Sequence, residues 1–78
     1  MDISSETKVN DLLQAFPQLE DVLIDLNPKF KSLKNPLLRN SVGRVATLKQ
    51  AASVVNLPLL TFINHLRDAV GQSPLDAI

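Results

Sequence analysis

Cysteine, tryptophan and tyrosine are missing from this 78-residue chain, and histidine occurs once, as His65. Without cysteine there is no disulfide staple. Structural zinc sites draw mainly on Cys and His, so a lone histidine all but removes that option too. Two glycines leave no material for a glycine-rich phosphate loop. Uninterrupted apolar runs are only a few residues long, as at Val22 to Ile24, which is far short of a membrane span. The opening MDISSETK has neither the basic start nor the apolar run of a secretory leader, and a cytoplasmic location is the resulting expectation.

What the chain does have is aliphatic side chains, at 45% hydrophobic content. A chain of this length forms one domain and buries only about 60% of the surface its unfolded form exposes. With disulfides and zinc set aside, close apolar packing must hold it, helped by any self-association.

Charge is unevenly spread although the net is zero. Residues 1–26 carry Asp2, Glu6, Asp11, Glu20, Asp21 and Asp25 against Lys8, a net of −5. Residues 27–49 carry Lys29, Lys31, Lys34, Arg39, Arg44 and Lys49 with no acid, a net of +6. Such asymmetry can mark a nucleic-acid partner. It is equally what two neighbouring segments of opposite charge would show, and an acidic lobe repels phosphate.

One periodic pattern recurs four times. Val9, Leu12, Leu13 and Phe16 fall at i, i+3, i+4 and i+7. Leu19, Val22, Leu23 and Leu26 repeat it, as do Leu48, Ala51, Ala52 and Val55, then Leu59, Phe62, Ile63 and Leu66. Each set lies on one helical face, predicting four amphipathic helices. Asn27-Pro28 and Asn35-Pro36 each pair an N-cap with a proline at the first helical position, predicting two more short helices over about 28–33 and 36–43. The second is expected to stop near Gly43. Thr47 and Gln50 have capping-box spacing, and Leu57-Pro58 restarts the chain into a last helix that Gly71 ends. The predicted fold is all-α: a compact single domain of five to six short helices in an orthogonal-type bundle. Its core is expected over about residues 3–70, with 71–78 as a fraying tail in which Leu75 and Ile78 could still pack.

Candidate chemistry is sparse. His65 falls off the apolar face of the last helix, as an exposed histidine does, and no strained-turn nucleophile accompanies it, so the chain is expected not to be an enzyme. No carboxylate spacing suits a calcium loop, and neither metal nor cofactor is expected. TLKQAASVVNLPLLTFINHLRDAV has the outline of a helix-turn-helix, but its second helix opens on Pro58, Leu59, Leu60, Thr61 and Phe62, which read no base edge. Protein contact fits better. Leu37, Leu38, Val42 and Val45, with Ile24 and Leu60, exceed what four apolar stripes need, and a surplus of this kind either adds to the core or forms a surface patch or groove. Arg39, Arg44, Leu38 and Lys49 are the candidate interaction or anion-binding residues. Arg39 and Arg44 flank the 36–43 helix, near the start of the next one at Thr47, whose free N–H groups could meet an anion. For each arginine, pairing with the acidic first third is the competing expectation.

These residues also carry a resemblance. VNDLLQAFPQLEDVLIDL and NPLLRNSVGRVATLKQAASVVNLPLLTFINHL resemble the DUF1858 family over about residues 3–70, most specifically in NP-x-x-R-x-x-x-x-R-x-A-T-L-x-x-A-A. The resemblance implies a compact helical domain, found alone or ahead of PAS or haemerythrin-like regions, without an established activity. One branch of that family carries a redox cysteine pair. This chain has LNPKFKSLKNP there and no thiol, so disulfide chemistry does not carry over. Asn35, Pro36, Leu38, Arg39 and Arg44 are the family-like positions that carry over as a patch, though Asn35 and Pro36 are already explained as a cap. The expected function is a protein-interaction or regulatory accessory module, with an unidentified protein partner or a second copy and no membrane. The alternative is weak binding of nucleic acid or an anionic ligand through residues 29–49.

Overall fold

The computed structural model describes residues 1–77, and Ile78, one of the two residues expected to anchor the tail, lies outside them. Six helices follow one another among the described residues: α1 (Val9–Ala15), α2 (Leu19–Leu26), a 3₁₀ helix (Pro28–Lys34), α3 (Pro36–Val45), α4 (Leu48–Val54) and α5 (Leu59–Ala69). The chain is all-α.

The starts of these helices follow local chemistry. Asn27 Oδ1 accepts from the Lys29 N–H at 2.9 Å, and Asn35 Oδ1 from the Leu37 N–H at 3.0 Å, with a proline just inside each helix. At Thr47 the capping box is complete: its hydroxyl accepts from the Gln50 N–H and the Gln50 side chain accepts from the Thr47 N–H. The first of the two proline-led helices is 3₁₀ rather than α. Three residues per turn place Phe30 and Leu33 on one line, and both are buried.

Ends are less local. Gly43 does not stop α3, which runs on to Val45. The glycine is buried where α3 packs on α1, and a Cβ placed on it would meet the Asn10 Cβ at 3.6 Å. That distance is ordinary van der Waals contact. Gly43→Ala should therefore gain helix propensity without a clash and stabilise the domain by about 0.5–1 kcal/mol, read as a rise of a few degrees in Tm. A fall in Tm would show that α3 cannot yield even a few tenths of an ångström. The α4–α5 corner is closed by Asn56 in the left-handed region (φ 61), with the Leu57 N–H on the Ala52 carbonyl at 2.9 Å. Gly71 (φ 80) does the same after α5, with the Gln72 N–H on the Arg67 carbonyl at 2.8 Å.

The core is built from Ile3, the inner faces of α1, α2, α4 and α5, and the 3₁₀ pair Phe30 and Leu33. Phe30 stacks on Phe62 with parallel rings 6.0 Å apart. Two ties between distant parts of the chain have no sequence pattern behind them. Residues 5–9 lie antiparallel to 46–49: the Val9 N–H meets the Ala46 carbonyl at 3.0 Å and the Leu48 N–H the Thr7 carbonyl at 2.9 Å. The expected fraying end is also held down. Leu75 exchanges hydrogen bonds with the Asn64 side chain, and the Gln72 side chain accepts from the Ile3 N–H at 3.0 Å. Among the described residues no helix is long and apolar enough to cross a membrane.

Candidate functional site

Helix α3 is amphipathic, yet its apolar stripe faces outward. Leu38, Val42 and Val45 stand at i, i+4 and i+7, and they are 41%, 54% and 70% exposed, with Leu37 beside them at 79%. Gly43 is the one buried residue of the helix. The side that touches α1 and α2 carries Gly43 and the polar Arg39 instead. A ten-residue helix thus contributes no side chain to the buried core, against the general rule that a helix turns its apolar stripe inward. Ile24 and Leu60, counted in the same surplus, are half-buried.

Beside this stripe lies a groove of about 160 Å³ between α3, the 3₁₀ helix and α4. Val42 forms one wall, Phe30 and Leu33 the second, and Ala51, Val54 and Val55 the third. Val54 is itself 72% exposed, so the groove opens onto an apolar lip. A dry space of about 150 Å³ accommodates a benzene-sized group, which makes this groove the size of one large apolar side chain. Lys29 is the one charged residue on its walls.

The four candidate residues do not converge. Arg39 turns away from the groove into a polar cleft with Asn10 and Glu20, and its Nη1 lies 3.6 Å from Glu20 Oε2. Both side chains are about one-quarter exposed, so the pair contributes at most about 1 kcal/mol. For Arg39, then, the competing expectation of an acidic partner within the chain is what the structure shows. Arg44 is exposed and has no ion pair among the described residues, and Leu38 lies on the outer stripe. Lys49 is exposed on α4 and lines neither cleft.

The amides at the start of α4, expected to be free for an anion, are occupied. Leu48 donates to the Thr7 carbonyl, Lys49 to the Ser5 carbonyl at 3.0 Å and Gln50 to the Thr47 hydroxyl. Docking of residues 5–9 on this helix end removes the site that sequence spacing suggested.

His65 is exposed on α5, and among the described residues no three His, Cys, Asp or Glu side chains gather. Three residues that matter escaped the sequence reading. Val54 has no signal, since it falls outside the apolar stripe of α4. Phe30 and Leu33 had one, their i, i+3 spacing inside a 3₁₀ segment. The description "Domain of unknown function (DUF1858)" matches residues 3–63. No curated protein and no solved structure matches the chain.

Proposed function

The chain belongs to the DUF1858 family, and we propose that it is a non-enzymatic protein-interaction module, cytoplasmic and without a cofactor, that docks a partner on the outward face of α3 and the groove beside it. The carrying observation is the reversed amphipathicity of α3. Leu37, Leu38, Val42, Val45 and Val54 expose an apolar surface that the fold does not use. An apolar patch of this kind on a small domain marks a contact surface more often than idle surface. Of the arginines, Arg44 remains at the edge of this surface, while Arg39 is engaged with Glu20.

Binding of nucleic acid or an anionic ligand through residues 29–49 is the second reading, supported by the five bases of that segment other than Arg39, none of which has an ion pair among the described residues. Salt separates the two, because phosphate binding collapses as salt rises whereas apolar contact persists. The Leu38→Ser/Val42→Ser/Val45→Ser variant should keep its stability to within about 1.5 kcal/mol, since each exposed side chain contributes only about 0.5 kcal/mol to folding. In a pull-down at about 0.5 M salt, where exposed charges are screened, protein retained by the wild type should be lost from this variant. Retention that ignores the three serines, or recovery of nucleic acid alone at low salt, would sink the docking face.

A further inference from the structure

The walls of the groove carry charge of one sign. From Asn27 to Arg67 the chain has no acidic residue, so the 3₁₀ helix, α3 and α4 bring only bases to this surface. Lys29 lines the groove itself, and exposed Arg44, seven positions after Leu37, stands on the opposite flank of the α3 stripe. The acids of α1 and α2 do not offset them there, since no Asp or Glu lines the groove.

We infer that the occupant is an acidic amphipathic helix of a partner protein, with apolar residues at i, i+4 and i+7 and Glu or Asp on its flanks. The inference rests on the docking role and adds the chemistry of the partner. Three observations specify it. The groove admits one large apolar side chain, which suits a helix anchored by a single leucine or phenylalanine. The α3 stripe extends that contact over two helical turns, from Leu38 to Val45, which suits a helix lying alongside it. The basic, acid-free border favours carboxylates and rejects a basic helix. A second copy presenting the same face fits badly. A two-fold interface sets each patch against itself, so Lys29 and Arg44 would meet a surface that is also basic.

The test is a display library of amphipathic helices with leucines fixed at i, i+4 and i+7 and each flanking position split evenly between Glu and Lys. Selection on the full chain should enrich glutamate, and a selected peptide should bind about tenfold tighter than its lysine counterpart, the effect of a few rim charges acting together. Binding should move the NMR signals of Val42, Ala51 and Val54 and be lost in Val42→Asp/Val54→Asp, a variant that should fold because both positions are exposed. Lys29→Glu/Arg44→Glu should shift the preference toward lysine. Equal recovery of both charge types at this face would overturn the acidic partner and leave the docking role standing. Failure to enrich any helix would overturn the helical occupant, and the docking role then falls or stands on the pull-down with the three serines. A concentration-dependent dimer blocked by Val42→Asp would replace the partner by a second copy.

Discussion

Phe62→Ala should remove about half of the stability of this domain. Phe62 is 2% exposed on α5, among Leu12, Leu13 and Leu23 in the same buried cluster, and its ring lies parallel to that of Phe30. Truncating a buried phenylalanine costs about 3–5 kcal/mol, from lost transfer free energy and the cavity left behind. A chain of this size is stable by roughly 4–12 kcal/mol in all. At about 4–8 °C per kcal/mol for a small domain, Tm should fall by roughly 12–40 °C. Phe62→Leu keeps most of the volume and should cost about 1.5 kcal/mol. The effect reaches the groove as well, because Phe30 is both the stacking partner of Phe62 and a groove wall. Phe62→Ala, assayed well below its own Tm, should therefore also bind the partner more weakly. A Tm loss under about 5 °C, less than the removal of one or two kcal/mol would produce, would mean that the ring pair does not hold the core.

The next largest loss is expected at Arg67. The residue is 7% exposed, and its side chain joins the last helix to both ends of the chain. Nε donates to the Ser73 carbonyl at 2.6 Å, and Nη1 donates to the Ile3 carbonyl at 2.7 Å and to Asp2 Oδ1 at 2.8 Å. Arg67→Ala leaves two backbone carbonyls without their donor, at about 1–3 kcal/mol for each that stays buried. The total should be about 3 kcal/mol, seen as a fall of roughly 12–24 °C in Tm. Asp2→Asn provides the contrast. Asp2 is 81% exposed at its side chain, so losing its charge should cost under about 1 kcal/mol. If the two substitutions cost the same, the arginine would be acting through its ion pair and not through the carbonyls it satisfies. Amide exchange at Gln72 and Leu75 should also quicken in Arg67→Ala, since their segment loses its bond to Arg67.

Arg67 was partly legible beforehand. It stands four residues after Ile63, at the flank of an apolar stripe, where a long side chain can be drawn inward. Its partners were not legible, because Asp2, Ile3 and Ser73 are far away along the chain or lie beyond the helix end. Gly43 shows the converse. A glycine after a helical run reads as a stop by local rules, whereas here it is the contact at which α3 meets α1.

The sequence by itself determined the all-α class, the starts of the helices at Asn27, Asn35 and Thr47, and most of the core, because caps and apolar periodicity act over a few residues. Tertiary structure alone decided which way α3 faces, that Arg39 meets Glu20 and leaves the groove, that the amides of α4 are covered by residues 5–9, and that the tail is tied to Asn64 and Arg67. A hydrophobic stripe specifies that a helix has two unlike faces. Which face is buried depends on what the rest of the chain can pack against it, and here a core closed by the other helices leaves the apolar face of α3 exposed.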